Sequence, residues 1–565
     1  MTRSRQLLPA VVFLSSLLLL VSVATAAAAA EDTNAAVLAA SHDLLRSSCS
    51  STRYPELCVS AIASHPSLLS SLSTHKQVIE ASINQTLRAV QSTYGNVQAV
   101  AQKPDLTPRE KVAVADCIQT LGDTIDELRE TYGDLQAYPT KKPITEQADD
   151  INVLLSAAIT NQETCMDGFS YDEAEKELRK EFEGGVLNVK NMCSNVLAMA
   201  CNMTDTHMAM ERRGHENSFK GRRLLMGEDA LDKYPRWLSA ADRRLLQAPS
   251  VSADVTVAAD GSGDYTTVSA AVAAAPEKSS RRYVIRIKAG VYKENVEVPK
   301  KKTNLMFYGD GRRTTIITGS RNVVDGSTTF RSATVAAVGN GFLARGIRFE
   351  NTAGPSKHQA VALRVGSDLS AFYDCEMSAY QDTLYVHSLR QFFRSCYITG
   401  TVDFIFGNAA VVLQDCDIQP RRPNSGQRNM VTAQGRDDPN ENTGIVIQEC
   451  RISAASDLAP VQSSFPTYLG RPWKEYSRTV VMKSVIGDVV QPEGWYPWNG
   501  NFALDTLFYG EYQNTGAGAA TGGRVTWKGF KVITSATEAG SYTLDNFVAG
   551  GSWVGNTGFP FKLGL

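Results

Sequence analysis

A short cysteine phrase returns along the second half of the chain, and its period constrains the fold more than any other feature. Tyr373-Asp374-Cys375-Glu376-Met377, Arg394-Ser395-Cys396-Tyr397-Ile398, Leu413-Gln414-Asp415-Cys416-Asp417-Ile418 and Ile447-Gln448-Glu449-Cys450-Arg451-Ile452 place cysteines 21, 20 and 34 residues apart. Around them lie short β-branched runs such as YVIRIKAGVY, TTIITG and RTVVMKSVI, punctuated by Gly, Asn and Asp. A repeat near 20 residues made of strands and turns is the signature of a solenoid. Hairpin signals are few, so the expected fold of residues 251–565 is all-β, a right-handed parallel β-helix. The longer last interval is expected to hold an insertion in the polar stretch Arg421–Asn442.

That period makes a candidate site. Seven residues after Cys375 comes Asp382, in YQDTLY, and seven after Cys396 comes Asp403, in VDFIFG. Residues of equal phase on consecutive coils sit one strand spacing apart, roughly 4.8 Å. Two carboxylates that close cannot both ionise freely, so one pKa is expected to rise while the other stays low. An acid and a base or nucleophile then coexist near neutral pH. Gln359 and Gln381 offer amide donors for an oxyanion. Arg471 can hold one carboxylate ionised by a bidentate pair. Trp473, Phe406, Tyr380 and Tyr385 offer flat faces to sugar rings. The same register stacks Cys375, Cys396 and Cys416, and a Cys396–Cys416 disulfide is expected. Two carboxylates among apolar neighbours are a poor oxygen cage, so no metal is expected. There is no G-x-S-x-G elbow, no Cys/His zinc spacing and no P-loop in the sequence.

The first half has a different texture. Arg3 and Arg5 precede an apolar run from Leu7 to Val23 and a stretch of alanines, the pattern of a cleaved signal peptide over residues 1–28. Secretion makes the ten cysteines disulfide candidates and Asn84 and Asn202 glycosylation candidates. Residues 35–210 read as an all-α four-helix bundle. Thr107-Pro108-Arg109-Glu110 is a capping box, and Val114, Cys117, Leu121, Ile125 and Leu128 form one apolar stripe. Residues 211–250 read as a linker. It carries one tetrapeptide twice, Arg222-Arg223-Leu224-Leu225 and Arg243-Arg244-Leu245-Leu246, and an exposed dibasic linker is readily cut. Residues 1–246 hold 25 Lys+Arg against 31 Asp+Glu, and residues 247–565 hold 32 against 28. A mildly basic C-terminal part suits an anionic partner, as does an ordinary solvated surface.

The front region resembles the plant invertase/pectin methylesterase inhibitor family, through Cys49 with Cys58, Asp116-Cys117-Ile118, and the run Thr160 to Phe169, TNQETCMDGF. That resemblance implies the pairs Cys49–Cys58 and Cys117–Cys165. Residues from about Val255 onward resemble plant pectin methylesterases. The motifs are Gly290-Val291-Tyr292-Lys293-Glu294, Gln359 to Arg364 (QAVALR), Tyr380 to Tyr385 (YQDTLY), Asp403 to Gly407 (DFIFG) and Leu469 to Trp473 (LGRPW). The resemblance implies that methyl esters of galacturonate in pectin are hydrolysed, with Asp403 as nucleophile and Asp382 as general acid, then base. It implies that Gln381 and Gln359 stabilise the oxyanion, that Arg471 orients Asp403, and that Arg471, Trp473, Phe406 and Thr329 contact substrate. No cofactor or metal is implied. The implied partners are methyl-esterified homogalacturonan, a subtilase-type protease cutting at the RRLL sites and separate inhibitor proteins, with no nucleic acid. A secreted, cell-wall, monomeric enzyme is expected. Two other readings are a non-catalytic pectin-binding β-helix and a polygalacturonate-cleaving enzyme.

Overall fold

In the computed structural model, which describes residues 36–219 (except 142, 145, 146 and 172) and 252–565, the cysteine repeat is one corner of a three-sided coil. The strands form three parallel sheets of 11, 7 and 8 strands, and successive strands in the chain pass from one sheet to the next. This is the expected right-handed parallel β-helix. Its seven-stranded face is built from β1 (Val296–Val298), β2 (Val335–Ala337), β3 (Leu363–Val365), β4 (Leu384–Val386), β5 (Ile405–Gly407), β6 (Asn429–Gln434) and β7 (Thr467–Pro472). Each pairs with the next in chain order.

The phrase repeats because the corner needs it. Asp374, Ser395, Asp415 and Glu449, just before each cysteine, all have left-handed backbone, with φ between 51° and 55°. Short polar side chains such as Asp tolerate that conformation better than most residues. The cysteines then point inward, and all four are buried. An aromatic column runs beside them. Phe372 and Phe393 are register partners whose rings stack at 4.6 Å and 6°. In-register stacking buries one continuous apolar column, which is what makes a solenoid stable.

The expected Cys396–Cys416 disulfide is not formed, and both cysteines are free thiols, as are Cys375 and Cys450. The register itself is the reason. In a parallel ladder neighbouring side chains leave the backbone in the same direction, whereas a disulfide needs Cβ vectors that converge. The Sγ atoms of Cys396 and Cys416 instead face the carbonyls of Arg394 and Gln414, at 3.4 and 3.5 Å. Burial pushes both thiols well above their usual pKa, which keeps them protonated and unreactive. The longer interval before Cys450 is divided, because strand β6 lies inside Arg421–Asn442 with a widened turn on either side.

The helical region is a bundle of four long helices, α1 (His75–Val100), α2 (Pro108–Ala137), α3 (Ala148–Asp167) and α4 (Glu183–Phe219). The capping box of α2 forms as the sequence predicts, with Thr107 accepting from the Glu110 amide. The Cys49–Cys58 and Cys117–Cys165 disulfides are both present, while Cys193 and Cys201 are free. Helix α4 runs on to Phe219, overlapping the start of the expected linker 211–250. The signal peptide (1–28) and both RRLL sites lie outside the described residues. Asn84 is half-buried on α1 and Asn202 is exposed on α4. Among the described residues no helix is long and apolar enough to cross a membrane.

The bundle lies on the seven-stranded face. Helix α3 crosses it with a stripe of hydroxyls about one turn apart. Thr160 Oγ1 accepts from Asn408 Nδ2 at 2.8 Å, and Thr164 Oγ1 meets His387 Nε2 at 2.8 Å. Asp150 pairs with Arg390 at 2.7 Å, and Val153, Leu154 and Ala157 pack on Leu389. His387 and Asn408 follow β4 and β5, so one helix spans several coils at once.

Candidate active site

Register brings the two aspartates together. Leu384 pairs with Ile405 and Tyr385 with Phe406, an offset of 21 residues, so Asp382 and Asp403 occupy equal phase on adjacent coils. The Asp382 amide donates to the Val402 carbonyl at 3.1 Å. Both aspartates take left-handed backbone, φ 64° and 52°, a conformation that costs energy outside glycine and clusters at functional sites. Each precedes a three-residue strand whose residues alternate. Leu384, Val386 and Ile405 point into the core, while Tyr385 and Phe406 face outward and stack at 4.3 Å. The aspartates therefore open onto an aromatic shelf.

The two carboxyls differ in surroundings. Arg471 grips Asp403 through two hydrogen bonds, Nε to Oδ1 at 2.8 Å and Nη2 to Oδ2 at 2.6 Å. Asp382 has no such partner among the described residues. Burial first, then the adjacent Asp403 charge, pushes its pKa well above the carboxylate range. Burial raises Asp403 too, but the bonds from Arg471 oppose it. Asp382 is therefore raised more strongly, and the bonds from Arg471 make Asp403 the better anion of the two. The expectation that one value stays low does not hold, because Asp403 is only 6% exposed and loses solvation with its neighbour.

A cavity of about 330 Å³ opens above the pair. Thr329, Gln359, Gln381, Phe406, Arg471 and Trp473 all line it with the two aspartates, so every catalytic and substrate-contact residue expected from sequence converges there. The side-chain amides of Gln359 and Gln381 line the cavity and carry no hydrogen bond among the described residues. Tyr385 lines the cavity but Tyr380 does not; its ring lies under Arg421 at 3.9 Å. Sequence reasoning missed Phe330 and Trp498. Trp498 stacks on the Arg471 guanidinium at 4.2 Å and so braces the arginine that grips Asp403. Neither carries a periodic signal, since Phe330 opens a three-residue 3-10 helix and Trp498 sits in a bend. No group of three or more His, Cys, Asp or Glu suited to a metal exists among the described residues.

The cavity has a further wall that the spacing argument could not place. Thr164, Asp167, Gly168 and Ser170, from the end of α3 and the turn after it, line it from the bundle side. Nearby, Lys474 of the β-helix bonds Glu163 and also approaches Asp167 at 3.5 Å.

Comparison with known proteins gives this arrangement its relatives. Residues 254–551 match the family model "Pectinesterase", and residues 43–199 match "Plant invertase/pectin methylesterase inhibitor". Pectinesterase 3 of Citrus sinensis is 64% identical over 524 residues, covering 93% of this chain and 89% of that protein. Pectinesterase/pectinesterase inhibitor 3 of Arabidopsis thaliana is 63% identical over 541 residues, covering 93% and 91%. The solved structure of pectin methylesterase from carrot is 77% identical and superposes with a TM-score of 0.56, covering 56% of this chain and 100% of that one. The carrot chain is thus a stand-alone counterpart of the β-helix. The chain belongs to the pectinesterase family, and carries ahead of its pectinesterase region a domain of the plant invertase/pectin methylesterase inhibitor type.

Proposed function

We propose that the β-helix hydrolyses methyl esters of galacturonate residues in pectin, releasing methanol and a free carboxylate. The observation that carries this reading is the asymmetric carboxyl pair one coil apart, with Asp403 gripped by Arg471 and Asp382 without a cation of its own among the described residues. Asp403 attacks the ester carbonyl carbon and forms an acyl-enzyme through its carboxylate oxygen. The resulting oxyanion receives hydrogen bonds from Gln381 and Gln359. Asp382, protonated at rest, gives its proton to the departing methoxide, which leaves as methanol. As a carboxylate it then takes a proton from the water that attacks the acyl-enzyme, and Asp403 is released. Phe406 and Trp473 present apolar faces to the sugars, Thr329 contacts the chain at the cavity rim, and Arg471 fixes the attacking oxygen. The reading is tested by methanol release from methylated pectin with residues 247–565, which span the matched pectinesterase region 254–551.

The bundle is the second half of the proposal. It closes the site until the linker is cut at an RRLL sequence by a subtilase-type protease after secretion. The support is the position of Asp167, Gly168 and Ser170 in the cavity wall, where a polysaccharide would lie. Free inhibitor domains of the same type are then candidate partners of the released enzyme.

This closure is expected to depend on pH. Burial pushes the pKa of Glu127, which faces Lys300 and Arg364 of the β-helix, up to about 8, while Asp116 and Asp123 are paired with Arg331 and Lys300. Such a carboxyl holds, in the docked state, a proton that it gives up when separated. Docking is therefore favoured below the ordinary carboxylate pKa of about 4, and weakens as pH rises towards about 8. Against the cost of its burial, Lys474 and Lys190 hold Glu163 low, which opposes the trend only below that window. Size-exclusion chromatography of protein cut after Leu246 is expected to show the two parts together at pH 5 and increasingly apart at pH 8.

The Cys117–Cys165 disulfide ties α2 to α3 beside Asp116, Thr164 and Asp167, and closes a loop of 48 residues. Replacing both cysteines by serine is expected to lower bundle stability by about 4 kcal/mol. The same change is expected to raise the esterase rate of the uncut chain, and a denaturant titration with a methanol assay reads both.

A further inference from the structure

A column of inward side chains along the 11-stranded sheet ends on a carboxylate. Register places Phe372, Phe393, Leu413, Ile447, Val481 and then Glu511 one behind another on successive coils. Glu511 thus stands where each coil before it in the column carries an apolar side chain. Arg524 meets it, with Nε to Oε1 at 2.7 Å and Nη2 to Oε2 at 3.1 Å, and both side chains are 1% exposed. Taking two charges out of water is costly, and well-packed apolar residues in their place are often as stable or more so. Stability alone does not account for the pair.

The pair holds the segment that follows β7 on the seven-stranded face. Residues 490–496 lie beside β7 through two isolated parallel bridges, Thr467 to Val490 and Gly470 to Trp495. The Leu469 amide donates to the Gly494 carbonyl at 2.7 Å, and the Tyr496 amide to the Gly470 carbonyl at 3.0 Å. Pro492 and Pro497 lack amide protons, so no regular ladder continues there. The ion pair supplies the missing hold. Arg524 Nη1 donates to the Pro492 carbonyl at 3.1 Å, and the Trp495 indole N–H donates to Glu511 Oε1 at 3.2 Å. The arginine passes so close over Gly494, whose φ is 69°, that a Cβ there would clash with its Cδ. Trp495 also stacks at 4.1 Å on Tyr509, which shares the strand Phe508–Tyr512 with Glu511. Just beyond, Trp498 lies over the Arg471 guanidinium at 4.2 Å, and Arg471 grips Asp403. Contacts therefore run unbroken from the buried pair to the attacking carboxylate.

We propose that Glu511 and Arg524 are positioning residues for the ester hydrolysis: they fix residues 494–498, and through Trp498 they lock the Arg471 fork on Asp403 in the orientation from which it attacks. The inference rests on the pectin reading, which gives Asp403 the attack. The charged and titratable groups that face Asp403 are Asp382, Arg471 and Tyr509, and Arg471 is the cation among them. A loosened fork leaves Asp403 harder to ionise as well as misaligned, so the acid limb of kcat/KM moves to higher pH.

The test compares residues 247–565 as wild type, as Glu511→Leu/Arg524→Met, as Arg524→Lys and as Trp498→Leu. The double variant removes both charges together and leaves neither unpaired. Arg524→Lys keeps both charges, loses the fork over Gly494, and guards against misfolding of the first. Trp498→Leu cuts only the last link. Methanol release from methylated pectin is followed across the pH range, and folding by thermal melting. In each variant kcat is expected to fall about 10- to 100-fold, the scale of a small misplacement of a reacting group. The acid limb of kcat/KM is expected to rise by about one pH unit, the worth of a charged hydrogen bond. A folded Glu511/Arg524 or Arg524 variant with the acid limb of wild type, whatever its rate, overturns the proposal and leaves the pair a cap on the end of the coil. Failure of both to melt cooperatively makes the pair a requirement of the fold and overturns it likewise. A raised KM with an unmoved limb in Trp498→Leu makes Trp498 a substrate contact only and breaks the link. Absence of methanol from wild type at any pH overturns the functional reading instead, and is seen before any variant is examined.

Discussion

Replacing Asp403 by alanine in residues 247–565 is expected to lower methanol release from methylated pectin by about 10³-fold or more, the scale on which loss of a nucleophile is felt in acyl-transfer enzymes. The fold should survive, because Asp403 lies in the turn before β5, outside the strand itself, and its partner Arg471 also stacks on Trp498. KM should change far less than kcat, since the shelf of Tyr385, Phe406 and Trp473 remains. Asp382→Asn isolates the other role. It keeps the shape and removes the transferable proton, so the rate should fall steeply while Arg471 still holds Asp403. A rate within tenfold of wild type for the Asp403 variant would remove it from the chemistry.

Cutting the linker after Leu246 and separating the parts is expected to raise the esterase rate roughly 10- to 100-fold over the uncut chain, within the usual range of coupling between two sites. The contacts explain the direction. Thr164 and Asp167 line the cavity above the aspartates, and the Lys474–Glu163 and Lys190–Asp437 pairs fasten them there. Adding the isolated bundle back should restore the block at pH 5 more fully than at pH 8. Equal rates for cut and uncut protein would leave the bundle no inhibitory role.

Much of this was legible because a solenoid writes its geometry in its period. The 21-residue step that separates Cys375 from Cys396 also separates Leu384 from its partner Ile405, so counting alone put Asp382 beside Asp403. The same counting misled at Cys396 and Cys416. Period gives adjacency but not direction, and parallel side chains do not converge into a disulfide. It also missed Trp498, which lies beyond the last coil of the face and braces Arg471 from outside the repeat. The pose of the bundle was beyond sequence reasoning altogether. Thr164 and His387 are 223 residues apart and meet through packing that no local pattern encodes.

The most direct test of the central claim is a paired assay of residues 247–565 on highly methylated pectin, following methanol and viscosity together. Methanol released in step with acid, with no fall in viscosity from chain scission, is the expected result. A fall in viscosity without methanol, or tight binding with no product at all, would contradict it.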